Sequence, residues 1–243
     1  MEDIERKYVH DTYQIIAQDF SVTRAYLWTS VKRFLELVEP GSIITEIGSG
    51  NGKNLVVRKD CINLAFDLCS KFCEISKGRG VDSVVANNIK VPMCSESSDY
   101  VMSIAVIHHL CTEERRLQAI CELVRILKPG GKLLIQVWAL EQAKTARRQF
   151  SQADNYVEFQ NSQKTVSEKR FYHVFQKDEL ESLVEQIPGT EIIESCWERG
   201  NWVMVLQKKS SKPTQPENTK KIHKKNEINL IENLAVQKKI KHN

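Results

Sequence analysis

The stretch that most constrains this chain is IITEIGSGNG, residues 43–52, in which a β-branched run ends near Glu46 and glycine follows at positions 48, 50 and 52. β-branched residues favour a strand. The glycines let the next turn approach a ligand more closely than a Cβ would allow. The pattern therefore predicts a strand that runs into a ligand-binding loop. A purely structural strand-to-helix turn is the alternative, although such a turn needs one residue with positive φ rather than three.

The spacing of this loop distinguishes between cofactors. It reads GxGxG rather than the GxGxxG of dinucleotide-binding proteins, which disfavours an NAD-dependent oxidoreductase. Glu46 stands two residues before the first glycine, where a carboxylate would repel a pyrophosphate but attract the ammonium of an amino acid. Asp67 ends the next strand-like run, 21 residues after Glu46, at the spacing of a ribose-hydroxyl acceptor. Together these features favour S-adenosylmethionine.

Strand-like and helix-like segments alternate along the chain after two predicted helices at residues 3–19 and 23–38. Such alternation predicts a parallel, doubly wound α/β sheet. The predicted elements are strand 43–47, helix 52–59, strand 62–66, helix 70–77, strands 83–86 and 99–105, helix 113–127 with Thr112 as its N-cap, strand 132–138 and helix 178–187. Two last runs, 191–198 and 201–208, flank a short turn and predict a terminal antiparallel hairpin.

Charge and periodicity divide the chain into a domain over residues 1–209 and a tail over residues 210–243. Within the domain, the polar and aperiodic residues 143–170 predict an inserted loop or irregular cap on the substrate side. From Lys208 onward, ten lysines and three glutamates give a net charge of +7, so residues 1–207 carry −3. The tail is expected to be disordered because it has few apolar residues. Nucleic acid would have to bind through the tail or a local patch.

No run of about 18 apolar residues occurs, and the beginning MEDIERKYVHD lacks the features of a secretory signal, so no membrane association is expected. The seven cysteines form no CxxC pair and lie mostly in apolar segments. We therefore expect reduced, buried thiols in a cytoplasmic or nuclear protein.

Several further motifs carry a family resemblance, namely YVHDTYQIIAQDFSVTR, SIAVIHHL, ELVRILKPGGKLLIQVWALEQ, FYHVFQKDEL and ERGNWVMVLQK. Through them, residues 4–208 resemble the eukaryotic tRNA methyltransferase 9 family, which includes the methyltransferase domain fused to AlkB-type hydroxylases. The resemblance implies a class I S-adenosylmethionine-dependent methyltransferase fold, a Rossmann-like doubly wound sheet of seven strands with a terminal antiparallel hairpin. It also implies a reaction that converts 5-carboxymethyluridine at the tRNA wobble position to its methyl ester.

Two partners are implied by the same resemblance. One is the tRNA anticodon stem-loop. The other is a small zinc-binding activator subunit of the tRNA methyltransferase 112 type, which would form a heterodimer by pairing with the edge strand 83–87. An uncovered apolar edge strand is an aggregation hazard, so a partner there is physically reasonable.

The resemblance further implies roles for individual residues. Those expected to hold the cofactor are Glu46, Gly48, Ser49 and Gly50 at the methionine end, Asp67 and Leu68 at the ribose, Asn87, Asn88 and Ile89 at the adenine, and Ala105 and Val106 near the methyl group. Those expected to position the RNA and its carboxylate are Arg24, His108, His109, Arg170, Tyr172, His173, Arg199 and Asn201. A carboxylate is already ionised at pH 7, so we expect positioning rather than a general base. For the two adjacent histidines, structural packing is the alternative, and no ligand cluster accompanies them that would indicate a metal.

The chain departs from the family pattern at three places. Glu46 and Asn87 stand where aspartates are usual, and both substitutes keep a hydrogen-bond acceptor. Residues 151–159, SQADNYVEF, replace a segment in which the family tends to have Asp-Val-x-Val-Pro-Trp. This last change leaves two alternatives open: methyl transfer to another RNA or a small acid, and a catalytically silent relative that binds RNA or the activator.

Overall fold

The computed structural model describes residues 1–23 and 26–210 of the chain. Its strands are β1 (Ile43–Ile47), β2 (Ile62–Asp67), β3 (Asp82–Val85), β4 (Ser98–Ile104), β5 (Leu127–Trp138), β6 (Asp154–Gln160), β7 (Ser167–His173), β8 (Thr190–Glu198) and β9 (Asn201–Lys208). Its α-helices are α1 (Asp3–Glu5), α2 (Thr12–Val22), α3 (Thr29–Glu36), α4 (Ser70–Gly78), α5 (Glu113–Ile126) and α6 (Glu179–Glu185). A π-helical segment, Arg6–Asp11, joins α1 to α2, and a short 3₁₀ helix spans Ile107–His109.

Seven of the strands form one sheet in the order β3-β2-β1-β4-β5-β9-β8. The strands from β3 to β5 run parallel, and β9 lies antiparallel between β5 and β8. The predicted doubly wound sheet with a terminal antiparallel hairpin is confirmed. The strand order reverses between β1 and β4, and the connections leave these strands on opposite sides, so a crevice opens at their carboxyl ends.

The central strands β1 and β4 and the second half of β5 are buried on both faces, as expected for parallel strands that read as near-continuous apolar runs. Along β5, alternate residues enter different cores: Leu133 and Ile135 join one apolar cluster with α5, whereas Leu134 joins another with Phe34 of α3. α5 begins where the sequence predicts, because the Thr112 side chain accepts a hydrogen bond from the Arg115 backbone N–H. The two layers hold the strand ends of the crevice in place.

Two helix predictions are wrong in part. Residues 52–59 form successive turns rather than a helix. Gly52 has φ of +71°, and the side chain of Asn54 donates to Glu46 over 2.6 Å, so the segment is tied back to β1 instead of continuing a helical ladder. The second predicted helix begins at Thr29, because Trp28 before it has extended backbone with ψ of 152°.

The predicted irregular cap at residues 143–170 contains regular structure. β6 and β7 pair as an antiparallel hairpin from Asp154↔His173 to Gln160↔Ser167. Val157 and Phe159 alternate with exposed residues along β6, a period of two that fits a strand with one buried face. The hairpin is fastened to the N-terminal helix, since the Thr12 hydroxyl donates to the Lys169 carbonyl.

The composition-based expectations have mixed outcomes. Only Cys69 and Cys73 are buried, whereas Cys94 and Cys121 are exposed, so the prediction of generally buried thiols is wrong. Within the described ranges, no helix combines the length and apolarity that a bilayer span requires. Arg24 lies outside the described residues, and so does the tail that follows Ser210.

Candidate active site

A cavity of about 450 Å³ opens at the carboxyl ends of β1, β2 and β4. It is lined by most of the predicted cofactor residues, which are Glu46, Gly48, Ser49, Gly50, Asp67, Leu68, Asn87, Asn88, Ala105 and Val106. Ile89 is the exception, because it packs against the apolar core beside the cavity instead of lining it. The strands thus bring together residues that lie up to 60 positions apart in the sequence.

The glycine loop is held by the end of the neighbouring strand β2. The backbone N–H groups of Gly48 and Ser49 both donate to the Phe66 carbonyl, over 2.7 and 3.0 Å. The Gly50 N–H donates to one Asp67 carboxylate oxygen over 2.8 Å, and the Cys69 N–H donates to the other over 2.9 Å. Asp67 therefore braces the loop as well as facing the cavity.

The Glu46 carboxyl group is buried at the cavity wall, with 1% of its surface exposed. One oxygen accepts from Asn54, and among the described residues the other has no hydrogen-bond partner. Burial raises the pKa of Glu46 to about 8. Burial likewise raises the pKa of Asp67 to about 6, against the lowering effect of its two backbone N–H donors. A buried carboxyl with a vacant acceptor atom is poised to receive a cationic donor.

One wall of the cavity is aromatic and basic. Trp138 and Tyr172 stack with ring centroids 4.3 Å apart, Phe150 lies 6.1 Å from Trp138, and the Arg148 guanidinium lies 5.8 Å from the Trp138 ring. Further residues of this wall are Tyr13, Gln142, Ala146, Arg147, Arg199 and Asn201. Aromatic faces beside guanidinium groups form a surface suited to a nucleobase and its phosphates.

Sequence reasoning missed several residues of this wall, namely Tyr13, Trp138, Arg147, Arg148 and Phe150. The motif VWALEQ and the adjacent arginines were the available signals. Residues 151–159, predicted to face the substrate, do not line the cavity. Their departure from the family pattern therefore lies outside the cavity lining, to which residues 142–150 contribute Gln142, Ala146, Arg147, Arg148 and Phe150.

The two adjacent histidines have different positions. His109 lines the cavity; its Nδ1 lies 2.7 Å from the Phe171 carbonyl, so Nδ1–H donates and Nε2 accepts from the Tyr13 hydroxyl over 3.0 Å. Burial lowers the pKa of His109 to about 3. His108 lies behind the wall, where its Nδ1 accepts from the Trp138 backbone N–H, and burial lowers its pKa well below the usual value. Both imidazoles are neutral and oriented by hydrogen bonds.

Comparison with known proteins identifies the fold and the family. The family model described as a methyltransferase domain matches residues 45–135, from β1 into β5. A solved S-adenosylmethionine-dependent methyltransferase from Aquifex aeolicus shares the fold with a TM-score of 0.57 at 16% identity, over 79% of this chain and 97% of that chain. The tRNA (carboxymethyluridine(34)-5-O)-methyltransferase of Schizosaccharomyces pombe is 38% identical over 227 residues, which cover 85% of this chain and 98% of that protein. The chain belongs to this methyltransferase family.

Other relatives in the family are longer. The Xenopus tropicalis tRNA (carboxymethyluridine(34)-5-O)-methyltransferase alkbh8 is 33% identical over 84% of this chain, but the match spans only 41% of that protein. A second solved neighbour is the complex between the Haloferax volcanii Trm112 methyltransferase activator and the putative methyltransferase. It shares the fold at a TM-score of 0.61 and 16% identity, over 84% of this chain and 99% of that chain.

S-adenosylmethionine is the cofactor of this methyltransferase site, and the residues present fit it. Glu46, whose buried carboxyl has one oxygen without a partner among the described residues, lines the cavity where an amino-acid ammonium would be neutralised. A Cβ added at Gly50 would have no atom within 4 Å, so a ligand has room to approach the loop closely there. The predicted S-adenosylmethionine cofactor is confirmed.

Besides His108, three residues predicted to position the methyltransferase substrate lie outside the cavity wall or the described chain. His173 has its ring nitrogens 2.7 Å from carboxylate oxygens of Asp154 and Glu179, so it ties the hairpin to α6 and does not reach the cavity. Arg170 is buried behind the aromatic wall. Arg24 lies outside the described residues. In residues 1–23 and 26–210, no group of three or more His, Cys, Asp or Glu could hold a metal ion.

Proposed function

We propose that this chain transfers a methyl group from S-adenosylmethionine to the carboxylate of 5-carboxymethyluridine at the tRNA wobble position. The observation that carries the proposal is the combination of groups that line a single cavity. The buried acids Glu46 and Asp67 line it together with an aromatic wall that carries arginines. The relative from fission yeast, which the chain matches over nearly its whole length, is named for this reaction.

When bound, the cofactor supplies an electrophilic methyl group. The residues of the chain orient the two reactants. Glu46 and Asp67 hold the amino and ribose ends, while the partly buried Trp138 offers a flat surface on which a uracil can stack. No side chain has to remove a proton, because the attacking carboxylate is ionised at pH 7. The neutral His109, already committed to Phe171 and Tyr13, acts as a positioning group.

The reaction is tested by mass analysis of tRNA nucleosides from cells that lack the chain. We expect loss of the methyl ester and accumulation of the free carboxymethyl or amide nucleoside, restored by the unaltered gene. A Glu46→Gln copy serves as the matched control and should fail to restore it, because its cofactor site is impaired. Unchanged nucleosides in the deleted cells would contradict the proposal and favour another RNA or a silent relative.

We also propose that a zinc-binding activator subunit covers the β3 edge of the sheet. Among the described strands, β3 pairs with β2 alone, and its side chains Val84 and Val85 are 49% and 53% exposed. An apolar edge strand with unpaired backbone groups is suited to strand addition. The neighbour solved with a Trm112 activator supports a partner of this type for this fold. The role of the basic tail in RNA binding stays a prediction.

Charge on the β3 edge should abolish this association. We expect Val85→Asp to weaken binding of the activator by roughly tenfold or more, because an unpaired carboxylate would be desolvated at the interface. Ile193→Asp is the matched control, since Ile193 is 50% exposed on β8 at the opposite edge. Co-purification and calorimetry measure both variants. If both variants lose activator binding equally, or if neither loses it, the β3 edge is not where the activator binds.

A further inference from the structure

The Arg170 side chain is the largest fully buried side chain in the described part of the molecule, with 2% of its surface exposed. Among residues 1–23 and 26–210, no Asp or Glu oxygen lies within 4.0 Å of its guanidinium nitrogens. A buried charge without a counter-charge is costly. The stability of the fold therefore does not explain why a charged guanidinium, that of Arg170 in β7, is buried at this position.

The groups that do surround Arg170 are aromatic. Its Nη1 donates to the Tyr172 hydroxyl over 2.6 Å and to the Tyr13 hydroxyl over 3.4 Å. The rings of Tyr13, Phe20, Phe159 and Tyr172 lie 5.2 to 5.9 Å from the guanidinium carbon. Cation–π attraction offsets part of the desolvation cost without neutralising the charge. Three of these rings, all but Phe159, also line the cavity.

The hydrogen bonds around the phenols of Tyr13 and Tyr172 determine which group donates and which accepts. The Phe171 carbonyl fixes the tautomer of His109, so Nε2 accepts a hydrogen bond from the Tyr13 hydroxyl. Tyr13 and Tyr172 then both present their oxygen atoms to Arg170. A hydroxyl that accepts from a cation becomes a stronger donor. Arg170 does not line the cavity itself, so its charge acts there through Tyr172, which does line it.

We propose that Arg170 is a positioning residue that makes the cavity select an ionised carboxylate over the neutral amide of the same shape, acting through the hydroxyl of Tyr172, since Tyr13 already donates its proton to His109. This inference rests on the proposed function and names the group that recognises its substrate. A carboxylate entering the cavity supplies the negative charge that Arg170 lacks, in surroundings of low dielectric. An amide has nearly the same size and supplies none, so a preference of roughly tenfold or more follows.

The test compares two anticodon stem-loop RNAs that are identical except for the wobble nucleoside, 5-carboxymethyluridine or 5-carbamoylmethyluridine. Affinity is measured by fluorescence anisotropy with the full chain and S-adenosylhomocysteine present. The unaltered chain should prefer the acid roughly tenfold or more. Arg170→Met should abolish this preference, Tyr172→Phe should reduce it, and Arg170→Lys should retain most of it because the charge is kept.

Tyr100→Phe is the matched control, because it removes a buried phenol hydroxyl that donates to Leu37 far from the cavity. It should leave the preference unchanged, and all variants should bind S-adenosylhomocysteine as the unaltered chain does. If Arg170→Met fails to fold, Tyr172→Phe and Arg170→Lys decide the outcome. Equal affinity for acid and amide in the unaltered chain, or an undiminished preference in Arg170→Met, would overturn the inference.

A parallel methyl-transfer assay separates this inference from the proposed function. Methyl transfer to the carboxymethyl stem-loop by the unaltered chain supports the proposed function, and its absence counts against that function alone. The acid-over-amide preference and its dependence on Arg170 are read from binding, so they decide the inference whether or not transfer occurs.

Discussion

Replacing Glu46 with glutamine is expected to weaken S-adenosylmethionine binding by on the order of 100-fold at pH 8, because truncating one member of a buried charge pair costs a few kcal/mol. Glutamine keeps the size of the side chain and an acceptor oxygen but cannot carry the negative charge that faces the ammonium. The carboxyl is 1% exposed with one vacant oxygen, so no solvent replaces the lost interaction. Isothermal titration calorimetry measures the change.

The pH dependence identifies the charge as the cause. Burial raises the pKa of Glu46 to about 8, so the free protein holds this carboxyl protonated at pH 7, and cofactor binding must release that proton. Affinity should rise about tenfold per pH unit between pH 6 and 8 and level off above that. Glu46→Gln should lack this rise, and its heat of binding should not show this proton release in buffers of different ionisation enthalpy.

The same raised pKa of Glu46 makes the stability of the cofactor-free protein depend on pH. The folded pKa of about 8 lies above the reference value of 4.5, so between these values the unfolded state binds fewer protons than the folded state. The Glu46 contribution to the free energy of unfolding therefore falls as pH rises, by up to about 1.4 kcal/mol per unit. Glu46→Gln should remove this slope, whereas exposed Glu36→Gln should not. Cofactor affinity within twofold of the unaltered chain in Glu46→Gln would contradict the role of this carboxyl.

The cofactor half of the site could be predicted because its information is local in sequence. A strand, three glycines and two acids within 25 residues specify the loop, and the sheet only has to bring the strand ends together. The sign of the charge also helped, since a carboxylate before the glycines would repel a pyrophosphate. The terminal hairpin follows equally from periodicity.

The substrate half could not be predicted in the same way, because it depends on contacts between distant residues. Tyr13 and His109 are 96 positions apart, and Tyr13 and Arg170 are 157 apart. Nothing in the residues themselves distinguishes a buried Arg170 from a surface arginine. The turns at 52–59 were also missed, since there the side-chain bond from Asn54 to Glu46 overrides helix propensity.

Gly48→Ala is expected to lower the stability of the free protein by about 2–5 kcal/mol, which corresponds to a fall in Tm of roughly 5–15 °C for a domain of this size. Gly48 has φ of +75°, and an added Cβ would overlap Val106 Cγ2 and lie 2.8 Å from Val106 Cγ1. Left-handed backbone costs an alanine about 1–2 kcal/mol, and overpacking adds about 1–3 kcal/mol. Thermal unfolding of the free protein measures the sum.

Gly50→Ala separates these two costs, because Gly50 has φ of +53° but no atom within 4 Å of an added Cβ. It should lose only the backbone share of stability, about 1–2 kcal/mol, and its main defect should be cofactor affinity, since the new methyl projects into the cavity. Adding Val106→Ala to Gly48→Ala removes both γ-carbons and should recover part of the lost Tm. If Gly48→Ala and Gly50→Ala lower Tm equally, then Val106 does not press on the loop. The glycine at position 48 would in that case be needed only for its backbone conformation.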